Sequence, residues 1–359
     1  MSAHSGHKRR WRLLAAAVAA GLAIAALSAR PAAAADFGFS VAFQGSNGHL
    51  WTVDRSGAPH DTGLGMAPGT NPAAVEACVA GRCPIEIAFQ ASTGTLWTLD
   101  VRTGTPTDTG LPMLDHTSPS ISFTSGGAVE VAYHGANRDL WTYVAGVGGH
   151  DSGLSITGWS SPSISLPGQF RGPVIAYQTP SGGYLCLLTS DGVNSCPGSV
   201  MDPASSPSIT YTATTNWPGD GAEVAYQSFD GFLCVYNVTT GSTLRTGLNM
   251  SRGTSPSVAD YGFIGADGTD VIQTAFQAST SALWLATPAL QIQRSWTVGM
   301  AAGTSPAAIE VRFDDGTGGP AIAFQGTDGR LWTVPATGIP ASSGLSMAPG
   351  TSPAVYQTF

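Results

Sequence analysis

The sequence predicts an all-β protein, a seven-bladed β-propeller of four-stranded antiparallel blades. Three observations predict this fold: a hairpin motif that recurs seven times, a proline landmark of similar period, and chain ends that complement each other. The repeated units are rich in Gly, Pro and β-branched residues, and no window has apolar residues at helical spacing, which argues against helical repeats.

Residues 1–35 are expected to be a secretory signal peptide outside the fold. His7 to Arg12 is basic, Leu13 to Leu27 is a short apolar core, and Ala33 to Ala35 fit a small-residue cleavage site. The apolar run is shorter than the roughly 20 residues of a membrane span, although an uncut N-terminal anchor is the alternative. We therefore expect a secreted protein, free of the membrane after cleavage, with a propeller over residues 36–359.

The mature chain would be acidic and would contain no lysine. Removing the signal leaves ten arginines against 23 acids, so the net charge becomes −13. Nucleic-acid binding needs clustered basic residues, and no two of these arginines cluster, so nucleic acid is not an expected partner. No second Cys/His pair stands at ligand spacing, so neither a metal nor a cofactor is expected.

Each unit begins with a proline that follows a serine, or an asparagine in the first copy. These residues are Pro72, Pro119, Pro162, Pro207, Pro256, Pro306 and Pro353. Their spacing of 43 to 50 residues suits propeller blades. The mature chain starts at the second strand of a unit and ends after a first strand. We therefore expect the C-terminal strand to pair with the N-terminal strands, which would close the ring and cover its open edges.

The hairpin motif supplies the second and third strands of each predicted blade. Its clearest copies span residues 41–51, 87–97 and 322–332, and looser ones end at Trp141, Cys186, Cys234 and Trp284. The turn contains pairs such as Asn47-Gly48 and Asp328-Gly329. Such pairs favour two-residue type I′ turns, in which both central residues have positive φ.

A methionine lies six residues before all but one of the landmark prolines. The residues at this position are Met66, Met113, Ile156, Met201, Met250, Met300 and Met347. Because a pliable apolar residue recurs at a fixed place, we predict that these side chains fill the joints between blades. An apolar ring that contacts a ligand is the alternative.

The five cysteines suit an oxidising compartment. Cys78 and Cys83 flank one predicted hairpin tip, and Cys186 and Cys196 flank another, so two local disulfides are expected. Cys234 occupies the tryptophan position of the motif and is predicted to be a buried thiol.

The repeated pattern resembles a known family. The pattern consists of a Ser-Pro strand, followed by Gly-x-x-Glu-Val-Ala-Tyr/Phe and then by Gly-x-Asn/Asp-x-x-Leu-Trp. It is similar to the pattern of the bacterial seven-bladed, fucose-binding β-propeller lectins and, more loosely, to that of the tachylectin family. The resemblance covers the whole mature chain and implies non-catalytic binding of glycans in several pockets between blades. The Arg/Glu/Trp trio that holds fucose in six-bladed relatives has no regular counterpart here.

The candidate carbohydrate contacts are the glutamine and tryptophan of the motif, seven residues apart. The pairs are Gln44 with Trp51, Gln90 with Trp97, Gln277 with Trp284, and Gln325 with Trp332. Aromatic rings stack on the C–H face of a sugar, planar amides pair with hydroxyls, and weak repeated sites gain through avidity. Alternatively, the tryptophans join neighbouring blades and the glutamines bond loop backbone.

The sequence predicts no catalytic residue. His150-Asp151-Ser152 has triad residue types, but His60-Asp61-Thr62 occupies the same repeat position, and neighbours in a strand point to opposite faces. Asp314 and Asp315 are acids that a glycosidase could use, in a loop expected to be a solvated turn. A propeller glycosidase or lactonase-type hydrolase and a protein-interaction scaffold are the alternative functions, and the sequence leaves the oligomeric state open.

Overall fold

A computed structural model describes residues 38–76, 84–166, 172–211, 222–264, 270–287, 292–312, 318–336 and 338–357. The predicted signal peptide and the predicted Cys78–Cys83 disulfide lie outside these residues. Asp314 and Asp315 lie outside them as well. In the part that is described, no helix has the length and apolar character needed to cross a bilayer.

The described residues form seven antiparallel sheets of four strands each, which confirms the predicted β-propeller. Blade 1 consists of β28 (Ala354–Tyr356), β1 (Ser40–Gln44), β2 (His49–Val53) and β3 (Pro59–Gly65). Blade 2 consists of β4 (Ala73–Glu76), β5 (Ile85–Gln90), β6 (Thr95–Asp100) and β7 (Thr105–Pro112). Blade 3 consists of β8 (Ser120–Phe123), β9 (Val129–His134), β10 (Asp139–Val144) and β11 (Gly148–Ser155).

The remaining four blades repeat the same strand order. Blade 4 consists of β12 (Ser163–Ser165), β13 (Val174–Gln178), β14 (Leu185–Thr189) and β15 (Asn194–Ser195). Blade 5 consists of β16 (Ser208–Tyr211), β17 (Ala222–Gln227), β18 (Phe232–Asn237) and β19 (Ser242–Asn249). Blade 6 consists of β20 (Ser257–Ile264), β21 (Asp270–Gln277), β22 (Ala282–Thr287) and β23 (Ile292–Gly299). Blade 7 consists of β24 (Ala307–Arg312), β25 (Gly318–Gln325), β26 (Arg330–Val334) and β27 (Ala341–Ser346).

The two ends of the chain close the ring in blade 1. The C-terminal strand β28 pairs antiparallel with β1, with Tyr356 opposite Ser40 and Ala354 opposite Ala42. This pairing confirms the closure predicted from the sequence. It also covers the edge of β1, which would otherwise offer unpaired backbone groups to other chains.

The first strands of all blades line the central channel, and a ring of hydrogen bonds joins their starts. The residue before each landmark proline donates its backbone N–H to the side-chain oxygen of the equivalent residue in the next blade, at 2.6 to 2.9 Å. The ring consists of Asn71, Ser118, Ser161, Ser206, Ser255, Ser305 and Ser352. Each blade is a separate sheet, so these N–H groups need such a partner, and the Ser-Pro landmark supplies it.

The hydrophobic core consists of seven clusters, one at each joint between neighbouring blades. Each cluster contains one residue of the methionine position, buried to 3% exposure or less: Met66, Met113, Ile156, Met201, Met250, Met300 or Met347. The predicted packing role of these side chains is therefore confirmed.

The turn of the hairpin motif differs from the predicted type I′ turn. In blade 1 the Gly45 N–H donates to His49 O at 2.9 Å, and the Gly48 N–H donates to Gly45 O at 2.8 Å. Gly48 has a φ of 79°, whereas Asn47 is not among the residues of positive φ. The loop is therefore a three-residue turn closed by one left-handed residue, and the prediction of two positive φ values was wrong.

Candidate functional site

The glutamine and tryptophan of one hairpin lie on opposite faces of their blade. In blade 1, Gln44 is directly across from Leu50, and Trp51 is directly across from Phe43. Blades 2, 6 and 7 have the same register. Because successive side chains alternate between the two faces, the sheet separates Gln44 from Trp51. The two therefore do not form one site. Where both residues are present, a joint instead receives the glutamine of one blade and the tryptophan of the next.

The four candidate glutamines are buried, with exposures of 0 to 1%. Their Nε2 atoms donate to backbone carbonyls of the connectors between blades, at 2.9 to 3.3 Å: Gln44 to Ala67, Gln90 to Leu114, Gln277 to Ala301, and Gln325 to Ala348. The connector is also bonded to the next blade, since the Ala67 N–H donates to Gln90 O at 2.9 Å. These contacts match the scaffold interpretation of the glutamines, which offer almost no surface to a ligand.

The candidate tryptophans are half-buried at the outer part of the joints. Trp51 lies 6.4 Å from Phe43 between ring centroids, and it packs with Leu345 and Met347 of blade 7. Its indole Nε1 donates to Asn47 Oδ1 at 3.1 Å. Trp97 and Trp332 donate in the same way to Thr95 Oγ1 and Asp328 Oδ1, each at 3.0 Å. These three indoles are therefore fixed with one edge toward a polar surface, whereas Trp284 contacts Phe276 at 6.3 Å between ring centroids.

A set of polar side chains, which we call a rim cluster, surrounds each of these indole edges. In blade 1 the cluster consists of Asn47, His49, Trp51 and Asp61. Asn47 Nδ2 donates to Asp61 Oδ2 at 2.9 Å, and His49 Nδ1 lies 3.1 Å from Asp61 Oδ1. The Gly63 N–H also bonds Asp61, and this backbone hydrogen bond is the largest factor that lowers the pKa of its exposed carboxyl.

Three other blades carry variants of the rim cluster. Their members are Thr95, Trp97 and Asp108 in blade 2; Asn137, Asp139, Trp141 and Asp151 in blade 3; and Asp328, Arg330 and Trp332 in blade 7. The turn residues recur in the sequence, and so do the aspartates of the Asp-Thr/Ser-Gly segments. The sequence analysis did not predict that these two sets of residues contact each other. In blades 1 and 3 they are 14 residues apart in the chain and meet only because the third and fourth strands of a blade pair.

Blades 4 and 5 replace the tryptophan with cysteine. Cys186 and Cys196 form a disulfide, as predicted, at the register positions held by Trp51 and Asp61 in blade 1. Cys234 is a buried free thiol, as predicted, and it is paired across the strands with Arg245. Arg245 forms an ion pair of 2.6 Å with Asp230. The departures from the motif, His134 in blade 3 and Cys186 and Cys234 in blades 4 and 5, predict from the sequence a weaker or missing site in those three blades, and this stays a prediction.

Blade 3 replaces the buried glutamine with His134. The imidazole is 0% exposed, and burial lowers its pKa below the ordinary value of 6.5. An unfolded chain then takes up a proton that the folded chain excludes, so the free energy of unfolding falls as the pH drops below about 6.5.

We expect His134→Gln to remove part of the acid sensitivity of the fold. The substitution restores the residue of the other six blades, and its amide can donate to Thr157 O as Gln90 does to Leu114 O. Between pH 6.5 and 5.5 the wild type should lose more of its free energy of unfolding than the variant. Urea unfolding at both pH values measures this difference, and equal losses would contradict the assignment.

The tryptophans outside the motif have different environments. Trp159 is 70% exposed, whereas Trp296 is 9% exposed and donates its Nε1 hydrogen to Gly338 O at 3.0 Å. Trp217 lies outside the described residues. Of these, Trp159 has free surface for a ligand. The described residues contain no group of three or more His, Cys, Asp or Glu side chains that could hold a metal ion.

Solved structures with the same fold include several lectins. The chain matches a triple arginine-to-alanine variant of AofleA from Arthrobotrys oligospora at 12% identity and a TM-score of 0.57, covering 80% of this chain and 90% of that one. It matches the six-bladed lectin of Aleuria aurantia, described with a novel fucose recognition mode, at 15% identity and a TM-score of 0.53, covering 78% and 96%. SapL1 lectin in complex with α-methyl fucoside matches at 12% identity and a TM-score of 0.53, covering 80% and 98%.

At these identities the similarity shows the β-propeller fold. The sequence matches no protein-family model and no curated protein.

Proposed function

We propose that this protein is a secreted, non-catalytic carbohydrate-binding protein whose sites are the rim clusters between blades. The observation that carries the proposal is the repeated placement of a half-buried indole beside exposed carboxylates, amides and basic groups. Carboxylates accept hydrogen bonds from sugar hydroxyls, amides both accept and donate them, and an indole presents an apolar surface to the sugar ring.

The repetition itself supports this function. Four of the seven blades, namely blades 1, 2, 3 and 7, each contain a rim cluster with a tryptophan. Individually weak sites on one rigid body gain avidity on a surface that carries many copies of one glycan. Two lectins of the same fold, one described with a fucose recognition mode and one in complex with a fucoside, lend further support.

Secretion is proposed from two independent features. The first 35 residues have the charge and apolar pattern of a signal peptide. The disulfide Cys186–Cys196 suits an oxidising compartment.

A glycan array tests the function, with isosteric substitutions that weaken three rim clusters at once. In Asp61→Asn/Asp108→Asn/Asp151→Asn, each side chain keeps an oxygen for the glycine N–H that bonds it. Loss of three charged acceptors should weaken binding to a glycan-coated surface at least about tenfold. Asp54→Asn is the matched control, because Asp54 also accepts backbone bonds in an exposed turn but belongs to no rim cluster.

Two outcomes would contradict the proposal. Binding to no glycan at high protein density would remove the lectin-like function. Hydrolysis of any bound glycan would favour the alternative of a propeller glycosidase.

A further inference from the structure

The joint between blades 2 and 3 contains a second group of polar side chains, which differs from the rim clusters. It lies at the end of the joint opposite the β5–β6 turn, and therefore away from the rim cluster of blade 2. A cavity of about 350 Å³ opens there. Blade 2 lines it with Glu86, Asp100 and four threonines, and blade 3 lines it with Tyr143 and two small apolar residues. Its lining is thus rich in oxygen atoms along one wall and contains an aromatic ring on the other.

Two acids face each other across the strands in this cavity. Glu86 on β5 is directly opposite Asp100 on β6. Like charges at directly opposed positions destabilise a sheet. Burial and the neighbouring Asp100 carboxylate together raise the pKa of Glu86 to about 7, burial being the larger cause.

The chain avoids such a pair at the same position in other blades. In blade 5 the equivalent Glu223 is opposite Asn237, whose Nδ2 donates to the carboxylate at 3.0 Å. In blade 3 the equivalent Glu130 is opposite Val144. Blades 3 and 5 therefore place an uncharged residue opposite the glutamate, whereas blade 2 places a second acid there.

Some polar groups of the cavity have no partner among the described residues, although Asp100 Oδ1 accepts the N–H groups of Arg102 and Thr103, and the Thr103 hydroxyl donates to that of Thr105. Thr98 is only 8% exposed and lines the cavity, yet its hydroxyl makes no hydrogen bond to any described residue. The ion pairs of the described residues do not include Glu86 or Asp100. A strongly perturbed acid beside a second carboxylate in a cleft is the arrangement expected of a ligand site.

We propose that this cavity binds the protonated amino group of an amino sugar, a hexosamine unit whose amine is free. The two carboxylates provide charge-assisted acceptors for the ammonium group. Thr98 and the neighbouring threonine hydroxyls face the sugar hydroxyls, and the Tyr143 ring forms an apolar wall. The volume is about ten times that of a water molecule, which suits a sugar ring better than a lone ion.

This assignment rests on the proposed carbohydrate binding but uses a different site. Isothermal titration at pH 7 with glucosamine and with N-acetylglucosamine tests it, because acetylation replaces the charged amine by a neutral amide. The wild type should bind glucosamine about tenfold more tightly. The isosteric variant Glu86→Gln/Asp100→Asn should lose that preference, and Glu130→Gln, the equivalent position in blade 3, should keep it.

Three results would overturn the assignment. They are equal affinity for the two sugars in the wild type, a preference that survives in Glu86→Gln/Asp100→Asn, and calcium binding at this acid pair with no preference for the amine. Failure here is distinguishable from failure of the lectin-like function, which is measured on the array with the rim-cluster variant Asp61→Asn/Asp108→Asn/Asp151→Asn.

Discussion

A chain that ends at Ala348 should lose most of its stability. The last eleven residues contain β28, which pairs with β1 and forms the innermost strand of blade 1. They also contain Ser352, a member of the hydrogen-bonded ring, and Tyr356, which is 2% exposed. Loss of a buried aromatic side chain alone costs about 3–5 kcal/mol, against a typical total stability of about 5–15 kcal/mol.

Thermal unfolding followed by circular dichroism measures this effect, and a synthetic peptide provides the control. A peptide of residues 349–359 added to the truncated protein should restore much of the lost stability. The same peptide with Tyr356→Ala should restore much less, because it can pair with β1 but cannot fill the core. If the truncated protein melts at the wild-type temperature, the C-terminal strand does not close the ring.

Removing the disulfide of blade 4 should cost about 3 kcal/mol. The bridge joins Cys186 and Cys196, ten residues apart, and a closed loop of this size restricts the unfolded chain by about that amount. One end of the bridge lies in the hydrophobic core, because Cys186 is 0% exposed and packs against Leu154 of blade 3. The disulfide thus cross-links β14 and β15 where blades 1, 2 and 3 have a tryptophan and an aspartate.

The variant Cys186→Ala/Cys196→Ala isolates this bridge from the other cysteines. Its free energy of unfolding, measured with urea, should be lower than that of the oxidised wild type by about 3 kcal/mol. Adding reductant to the wild type should lower its stability by at least as much, because it would also open the predicted Cys78–Cys83 bridge, while Cys234→Ala under oxidising conditions should not cause a loss of this size. A double variant as stable as the oxidised wild type would show that the bridge contributes nothing.

Most of the fold could be predicted because its interactions repeat. The proline landmark, the methionine position and the hairpin each recur at a fixed place, so one unit interpreted correctly explains all seven. Closure by β28 was predictable as well, since the strand after Pro353 and the hairpin of residues 41–51 are complementary parts of one blade. The turn type was not, because Asn-Gly is compatible with both two-residue and three-residue hairpin loops, and only the register of Gly45 with His49 distinguishes them.

The candidate site could be predicted only in part, because it depends on which face of a strand each side chain occupies. Gln44 and Trp51 are neighbours across a turn in the sequence, but their cross-strand partners place them on opposite sides of the sheet. Asn47 and Asp61 are 14 residues apart, yet their side chains meet at 2.9 Å. A shift of register by one residue would exchange these relations, and the sequence pattern alone does not specify it.

The sequence by itself therefore determined the number of blades, the joints between them and the way the ring closes, because these follow from periodicity and from apolar positions that repeat. Only the tertiary structure decided which polar groups come together. The rim clusters arise where paired strands bring distant side chains to one surface. The cavity with Glu86 and Asp100 arises where blade 3 packs against blade 2 and restricts the access of water to two facing carboxylates. Burial and proximity of this kind are properties of the packed ring, and no single repeat contains them.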